Sequence, residues 1–297
     1  MTVQRKFITG EEWLYLKIYA GLGFQDKLLL DGIPEIVEGL YGNKIIDKFF
    51  FVRYTDHDGP HLRLRFHLLN PSATFNIIEL IQSKFSVHIT SRAIGKVCWD
   101  TYARELERYG EDYIEDIESV FSINSWQVLM ILRQNTVAPG ELWLTIAKLT
   151  DQLLTDFGFK TNQKYILMEQ SYQYYYKIFG ATREIKEVLK GRYRENSKKM
   201  KQVIITGSGA GYSPVNELSG NIILSGAIAA IREKCIKNES EDRFIEICRS
   251  IIHMFYNRSF SFNQNTFELV IYYMLSNFYK SEAVLENRGN AVKMTDF

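Results

Sequence analysis

His61-Leu62-Arg63-Leu64-Arg65-Phe66-His67-Leu68 alternates apolar and basic residues without a break. Side chains on a strand point to opposite faces in turn, so a period of two predicts a β-strand here. Leu62, Leu64, Phe66 and Leu68 then face a core, and His61, Arg63, Arg65 and His67 form a nitrogen-rich row on the other side. Just upstream, Phe49–Tyr54 (FFFVRY) is a short apolar run of strand-forming residues. Thr55-Asp56-His57-Asp58-Gly59-Pro60 between them is turn chemistry. The three pieces predict a β-hairpin with a longer loop. Trp13–Tyr19 (WLYLKIY) alternates in part and predicts a further strand.

Beyond the hairpin the spacing is mainly helical. Leu28–Tyr41, lying between the first two strands, has helical periodicity. So do Asn76–Phe85, Ala103–Phe121, Ser125–Arg133, Glu141–Phe157, Gln170–Lys190, Gly220–Cys235, Glu241–Tyr256 and Asn265–Tyr279. The tail from Ser281 is polar and predicted to be loose. No low-complexity linker or internal repeat divides the chain. The expectation is a single α+β domain, with a mainly antiparallel β-sheet half and a helical half.

Composition narrows the function. The 297 residues carry 36 Lys+Arg against 35 Asp+Glu, a net charge of +1. That balance argues against a nucleic-acid binder and against a charged disordered protein. Three cysteines, Cys98, Cys235 and Cys248, with no CxxC pair argue against a disulfide framework or a zinc knuckle. The N-terminus is polar and not secretory, and no apolar run reaches the ~20 residues of a membrane span. The expected location is the cytoplasm. Aromatic residues reach 14% with 18 Tyr and 19 Phe, which suits a dense core or an extended groove.

Three segments could carry chemistry. The first is the basic row. It reads either as a solvated face offset by carboxylates on neighbouring strands, or as a pocket floor for carboxylates or oxyanions, for which Arg forks are suited. A metal site built on the two outer histidines is disfavoured, because His61 and His67 at i,i+6 of a strand lie ~20 Å apart. The second segment is Trp99–Gly110, where a helix would place Glu105 beside Arg108, with Tyr102 and Tyr109 flanking. It reads as a salt-bridged surface helix or as a binding edge. The third is Ile251–Arg258, where a helix sets His253 and Asn257 one turn apart. His253 is either a satisfied core residue or a titrating group. Two further features are read as non-catalytic. Gly207-Ser208-Gly209-Ala210-Gly211 lacks the GxGxxG spacing and predicts a flexible or substrate-covering loop. The basic run Arg183–Lys201, with Glu184, Glu187 and Glu195 interleaved, predicts a solvated helix face or a docking patch for an acidic partner.

In this order the segments resemble the C-terminal elimination domain of class I lantibiotic dehydratases, a domain also found as separate proteins in thiopeptide-type bacteriocin biosynthesis. The resemblance rests on Trp13, Lys17 and Tyr19; on Phe50, Arg53 and Tyr54; on His61 to Phe66; on Tyr102 to Gly110; and on Ser250, His253, Met254, Asn257 and Arg258. It spans about Glu12 to Tyr279. Asp58-Gly59-Pro60 departs from the Asp-Pro turn frequent in the family, and Asn124-Ser125 stands where relatives often carry Asp-Ser.

The resemblance implies an elimination domain over residues 1–280 and a flexible C-terminal tail over 281–297. It implies a stand-alone lyase that eliminates glutamate from glutamylated Ser or Thr of a ribosomal precursor peptide, leaving dehydroalanine or dehydrobutyrine. A separate glutamyl-tRNA-dependent subunit would supply the glutamylated peptide. No cofactor, metal or direct nucleic-acid contact is implied, and a homodimer is compatible with it. The family's catalytic residues carry over onto Arg63, Arg65, Glu105, Arg108 and His253. Substrate binding is assigned to Arg53, Tyr54, His61, Tyr102, Asn257 and Arg258. Two other functions compete: a related cycloaddition enzyme that builds a pyridine ring from two dehydroalanines, a branch that tends to lose the eliminating residues, and a non-catalytic scaffold for the precursor peptide.

Overall fold

The strands, in chain order, are β1 (Lys6–Phe7), β2 (Trp13–Ala20), β3 (Ile46–Asp56), β4 (Gly59–Leu68), β5 (Ile94–Asp100) and β6 (Tyr102–Ala103). β2 to β5 form one antiparallel sheet in the order β3-β4-β2-β5, and β1 pairs with β6. The structure, a computed structural model, describes residues 3–133, 140–206 and 217–295, with side chains described outside 217–223 and 288–295. The glycine cluster 207–211 lies outside the described residues.

The α+β expectation holds. The alternation of β4 sorts its faces as expected: Leu62, Leu64 and Phe66 are fully buried beside Phe49, Phe51, Leu14, Leu16 and Ile18. The hairpin turn is tighter than predicted. Pairing continues to Asp56 and Gly59, leaving only His57 and Asp58 between the strands. Gly59 takes φ 115°, open to glycine because it has no Cβ, and Asp56 accepts from the Asp58 amide at 3.0 Å.

The helices are α1 (Leu22–Lys27), α2 (Ile33–Gly42), α3 (Thr74–Thr90), α4 (Leu106–Tyr109), α5 (Ile114–Arg133), α6 (Leu142–Asp156), α7 (Thr161–Ile178), α8 (Arg183–Thr206), α9 (Glu217–Asn238), α10 (Glu241–Ser259) and α11 (Gln264–Thr295). A π-turn over Leu28–Gly32 links the first two. Three sequence expectations are corrected. Ala103–Phe121 is not one helix: Ala103 is in β6, α4 is a single turn, and Gly110 at φ 89° breaks the chain before α5. A Cβ on Gly110 would lie 2.5 Å from the Tyr113 ring, so the break needs glycine twice over. Gln170–Lys190 is two helices, parted at Gly180 with φ 55°. Residues beyond Ser281 continue α11, where Glu282 pairs with Lys201 at 2.6 Å and Glu286 accepts from Thr161 at 2.7 Å.

The chain clusters into two compact units, each drawn from two stretches. Met1–Asn135 with Asn216–Phe262 holds both sheets, α1 to α5, α9 and α10. Thr136–Val215 with Asn263–Phe297 holds α6, α7, α8 and α11. In the helical unit, Tyr172 packs on Tyr273 and Tyr175 on Tyr272, so part of the tyrosine content serves the contact of α7 with α11. There Asp151 accepts from both Lys164 and Tyr279 at 2.7 Å.

In the first unit the β3 edge of the sheet is covered by side chains. The amides of Phe49, Phe51 and Arg53 donate to Ser122 Oγ, Ser125 Oγ and Asn257 Oδ1. Ser122 and Ser125 lie three residues apart on α5 and reach alternate amides of the strand, which neutralises an otherwise sticky edge.

Candidate active site

The basic row of β4 lies between aromatic neighbours set by strand register. Arg65 stands opposite Tyr15 of β2 and Phe50 of β3, and His61 stands opposite Tyr19 and Tyr54. Cross-strand partners sit only ~5 Å apart at Cβ, so these rings close on the basic groups. The Arg65 guanidinium lies 4.6 Å from the Tyr15 ring centre, 5.1 Å from Phe50 and 5.0 Å from Tyr102. Among the described residues, its Nε and Nη1 have no hydrogen-bond partner. Three aromatic faces stabilise the cation but supply no acceptor to those two buried nitrogens.

Arg63 is held differently. Its guanidinium lies 3.4 Å from the Tyr54 ring centre and Nε donates to His61 Nε2 at 3.2 Å. That contact makes Nε2 an acceptor and leaves Nδ1–H to donate to the Gly59 carbonyl at 3.1 Å, so the imidazole is neutral. Burial lowers the His61 pKa, against the opposing pull of the Gly59 carbonyl and Asp56. Lys17, opposite Arg63, pairs with Asp100 at 2.5 Å. On this face Asp100 meets Lys17, Asp47 meets His67 at 2.5 Å and Asp56 lies 3.8 Å from His61, whereas Arg63 and Arg65 are faced by rings.

Tyr102 is in β6, ahead of the single turn of α4. It is buried, and its hydroxyl donates to Glu118 at 2.8 Å. Glu118 also takes two bonds from Arg104, at 2.8 and 2.7 Å. This buried ion pair fixes the ring that walls Arg65. A cavity of about 340 Å³ adjoins it, bordered by His67, Lys48, Arg104, Glu115 and Glu118.

Glu105 caps α4, and its carboxylate meets Arg108 at 3.4 Å with both side chains exposed. The predicted i,i+3 pair thus forms within a single turn. Arg108 Nε also reaches Ser250 Oγ of α10 at 3.4 Å. Seven residues on, Asn257 bonds the backbone of Arg53 in β3. Ser250, His253 and Asn257 follow i, i+3, i+7 and share one face of α10, so His253 lies between these two attachments. α10 itself is capped by Ser240, whose side chain accepts from the Arg243 amide, and buries Phe244, Ile247, Cys248, Ile251, Ile252 and Phe255.

Several residues assigned to substrate binding are engaged inside the protein. Arg53 is buried, pairs with Asp26 at 2.7 Å and donates to the Arg258 carbonyl at 3.1 Å. Asn257 caps the β3 edge. Arg258 is fully buried, with its guanidinium 4.5 Å from the Phe121 ring centre and Nη1 donating to the Met254 carbonyl at 2.8 Å. Its Nε and Nη2 have no partner among the described residues. Burial lowers its pKa to about 9, with Tyr109 opposing and Arg65 adding to the shift. Tyr54 is exposed over Arg63. Sequence reasoning missed the roles of Tyr15 and Phe50, because their contact with Arg65 depends on strand pairing and not on spacing.

Residues 13–279 match the profile of the lantibiotic biosynthesis dehydratase C-terminal family. The chain belongs to that family. Membership places it in lantibiotic biosynthesis. It is 27% identical over 300 residues to the nisin biosynthesis protein NisB of Lactococcus lactis subsp. lactis, covering 95% of this chain but 27% of that protein. The tRNA-dependent lantibiotic dehydratase MibB of Microbispora sp. 107891 has the same fold, with a TM-score of 0.74, 20% identity, and coverage of 95% of this chain and 29% of MibB. The pyridine synthase TbtD from thiomuracin biosynthesis matches with a TM-score of 0.63 and 12% identity, over 91% of this chain and 98% of TbtD. The family chain thus spans about a quarter of its curated relative. Among the described residues, no helix is long and apolar enough to cross a membrane.

Proposed function

We propose that this chain is a cytoplasmic lyase that eliminates glutamate from glutamylated Ser or Thr of a ribosomal precursor peptide, after a separate glutamyl-tRNA-dependent subunit has added it. The observation that carries this reading is Arg65: a cation walled by three rings, with two N–H donors and no acceptor. In the reaction the Cα–H and Cβ–O bonds break and a Cα=Cβ bond forms. The proton passes to a base, and glutamate leaves through its α-carboxylate. Arg65 and Arg108 hold carboxylate and stabilise the charge that develops on the enolate and the leaving group. Arg63 supports them with positive charge from beside His61. His253 does acid or acid/base work, and Glu105 orients Arg108 or takes the proton.

The fold likeness to a pyridine synthase supports a second reading, cycloaddition. Retention of Arg63, Arg65, Glu105, Arg108 and His253 favours elimination. Incubation with a synthetic peptide carrying one O-glutamyl serine tests both. A product lighter by one water than the unmodified peptide supports elimination. Unchanged mass with peptide binding intact defeats it. Ring formation from a bis-dehydroalanine peptide would establish the second reading.

A further inference from the structure

The two edges of the main sheet are treated differently. At the β3 edge, Ser122, Ser125 and Asn257 occupy three alternate amides. At the opposite edge, β5 pairs with β2 on one side only. Among the described residues, its backbone makes no hydrogen bond outside that ladder. Alternate N–H and C=O groups of a seven-residue strand therefore face outward. Gly95 and Lys96 are exposed, and Val97 to Asp100 are half-buried. Just past Thr101 the chain does take an edge partner, since β6 pairs with β1. The open stretch is thus confined to the strand that ends opposite Tyr15, one wall of the Arg65 cage.

We infer that the β5 edge docks an extended peptide as an added strand, and that its occupant is the segment flanking the reacting residue of the peptide substrate. This rests on the elimination reading and names how that substrate is held. A strand on this edge lies three spacings from β4, ~14 Å at ~4.8 Å each. That exceeds the reach of a modified serine side chain, so the reacting residue itself lies elsewhere, nearer Arg65. The flank suits β5 because main-chain hydrogen bonds provide affinity without demanding particular side chains. An unfolded peptide with several Ser and Thr at varied positions could then slide and re-dock in successive registers.

The test is hydrogen exchange on the full chain, with and without a synthetic peptide carrying one O-glutamyl serine between Ala/Thr-rich flanks. At a peptide concentration about ten times its Kd, outward β5 amides should exchange roughly tenfold more slowly. Methylating alternate backbone nitrogens of one flank should weaken binding roughly tenfold. Proline at Val97 and at Cys98 separates the two strand faces. The variant that keeps the wild-type melting temperature should bind the peptide more weakly, and the other should lose the β2 ladder. Peptide binding with unchanged β5 exchange, no peptide binding, or protection already present through a concentration-dependent dimer would each overturn the inference. Elimination measured in the same samples separates the two ideas: protection without elimination removes the reaction, and elimination without protection removes the docking edge.

Discussion

Asn257 hydrogen-bonds both backbone groups of Arg53, accepting from its amide at 3.0 Å and donating to its carbonyl at 2.9 Å. The side-chain amide of α10 thus imitates a neighbouring strand residue at the β3 edge. With the Arg108–Ser250 contact, it attaches the face that carries His253. Asn257→Ala should destabilise the fold by about 1–3 kcal/mol, because two strand groups lose their partner. Elimination should fall further than the unfolded fraction accounts for. Asn257→Asp keeps the acceptor and loses the donor, so it should lie between. Denaturant titration beside single-turnover rates checks this; a wild-type rate in Asn257→Ala would detach His253 from this anchor.

Arg65→Lys keeps the charge and loses the planar fork and its fit between rings. Glutamylated peptide should accumulate, with turnover down by at least ~100-fold, a typical loss when one oxyanion donor is removed. The melting temperature should hold or rise, since two buried donors without acceptors are removed. Mass spectrometry and thermal melts decide it. Normal dehydration by the variant would refute the assignment of Arg65.

Gly110→Ala should cost about 1–3 kcal/mol, because φ 89° strains an L-residue and the new methyl meets the Tyr113 ring. Tyr113 donates to Glu239 at 2.6 Å, so the ring is not free to swing aside. Relieving the clash with Gly110→Ala/Tyr113→Ala should not recover the full loss, since the backbone strain stays. A Gly110→Ala melt equal to wild type would contradict the broken helix.

His61 sets a pH limit. Its folded pKa lies below its unfolded value, so the contribution is complete above about pH 6.5 and is lost as pH falls through the folded value. Protonation removes the acceptor for Arg63 and places two cations side by side. Melting temperature should therefore drop on acidification below about pH 6.5, and His61→Gln should flatten that part of the curve. Identical acid limbs for the two proteins would exclude His61 as the group responsible.

The hairpin and the sorting of β4 were legible because a period of two is a direct record of which face is buried. The helix carrying His253 and Asn257 was legible for the same reason at a longer period. The aromatic cage was not. Tyr15 and Phe50 reach Arg65 through the hydrogen-bonded register of β2 and β3 with β4, and Tyr102 comes from β6, outside that sheet. The strand β5 was missed because Ile94–Asp100 mixes Gly, Lys and Cys with apolar residues. One helix over Ala103–Phe121 is expected because charges at helical spacing continue across Gly110, and spacing alone does not register a positive φ.

Arg258 puts a full charge in the interior against Phe121 and a single carbonyl. Exchanging it for Met should make the protein harder to unfold, since a buried unpaired cation costs more than its contacts return. Engineering for heat resistance alone would discard it early. Its replacement would also withdraw positive potential from behind Arg65, so a hardened variant could be a poorer host for carboxylates. Durability and chemistry pull in opposite directions at this one position.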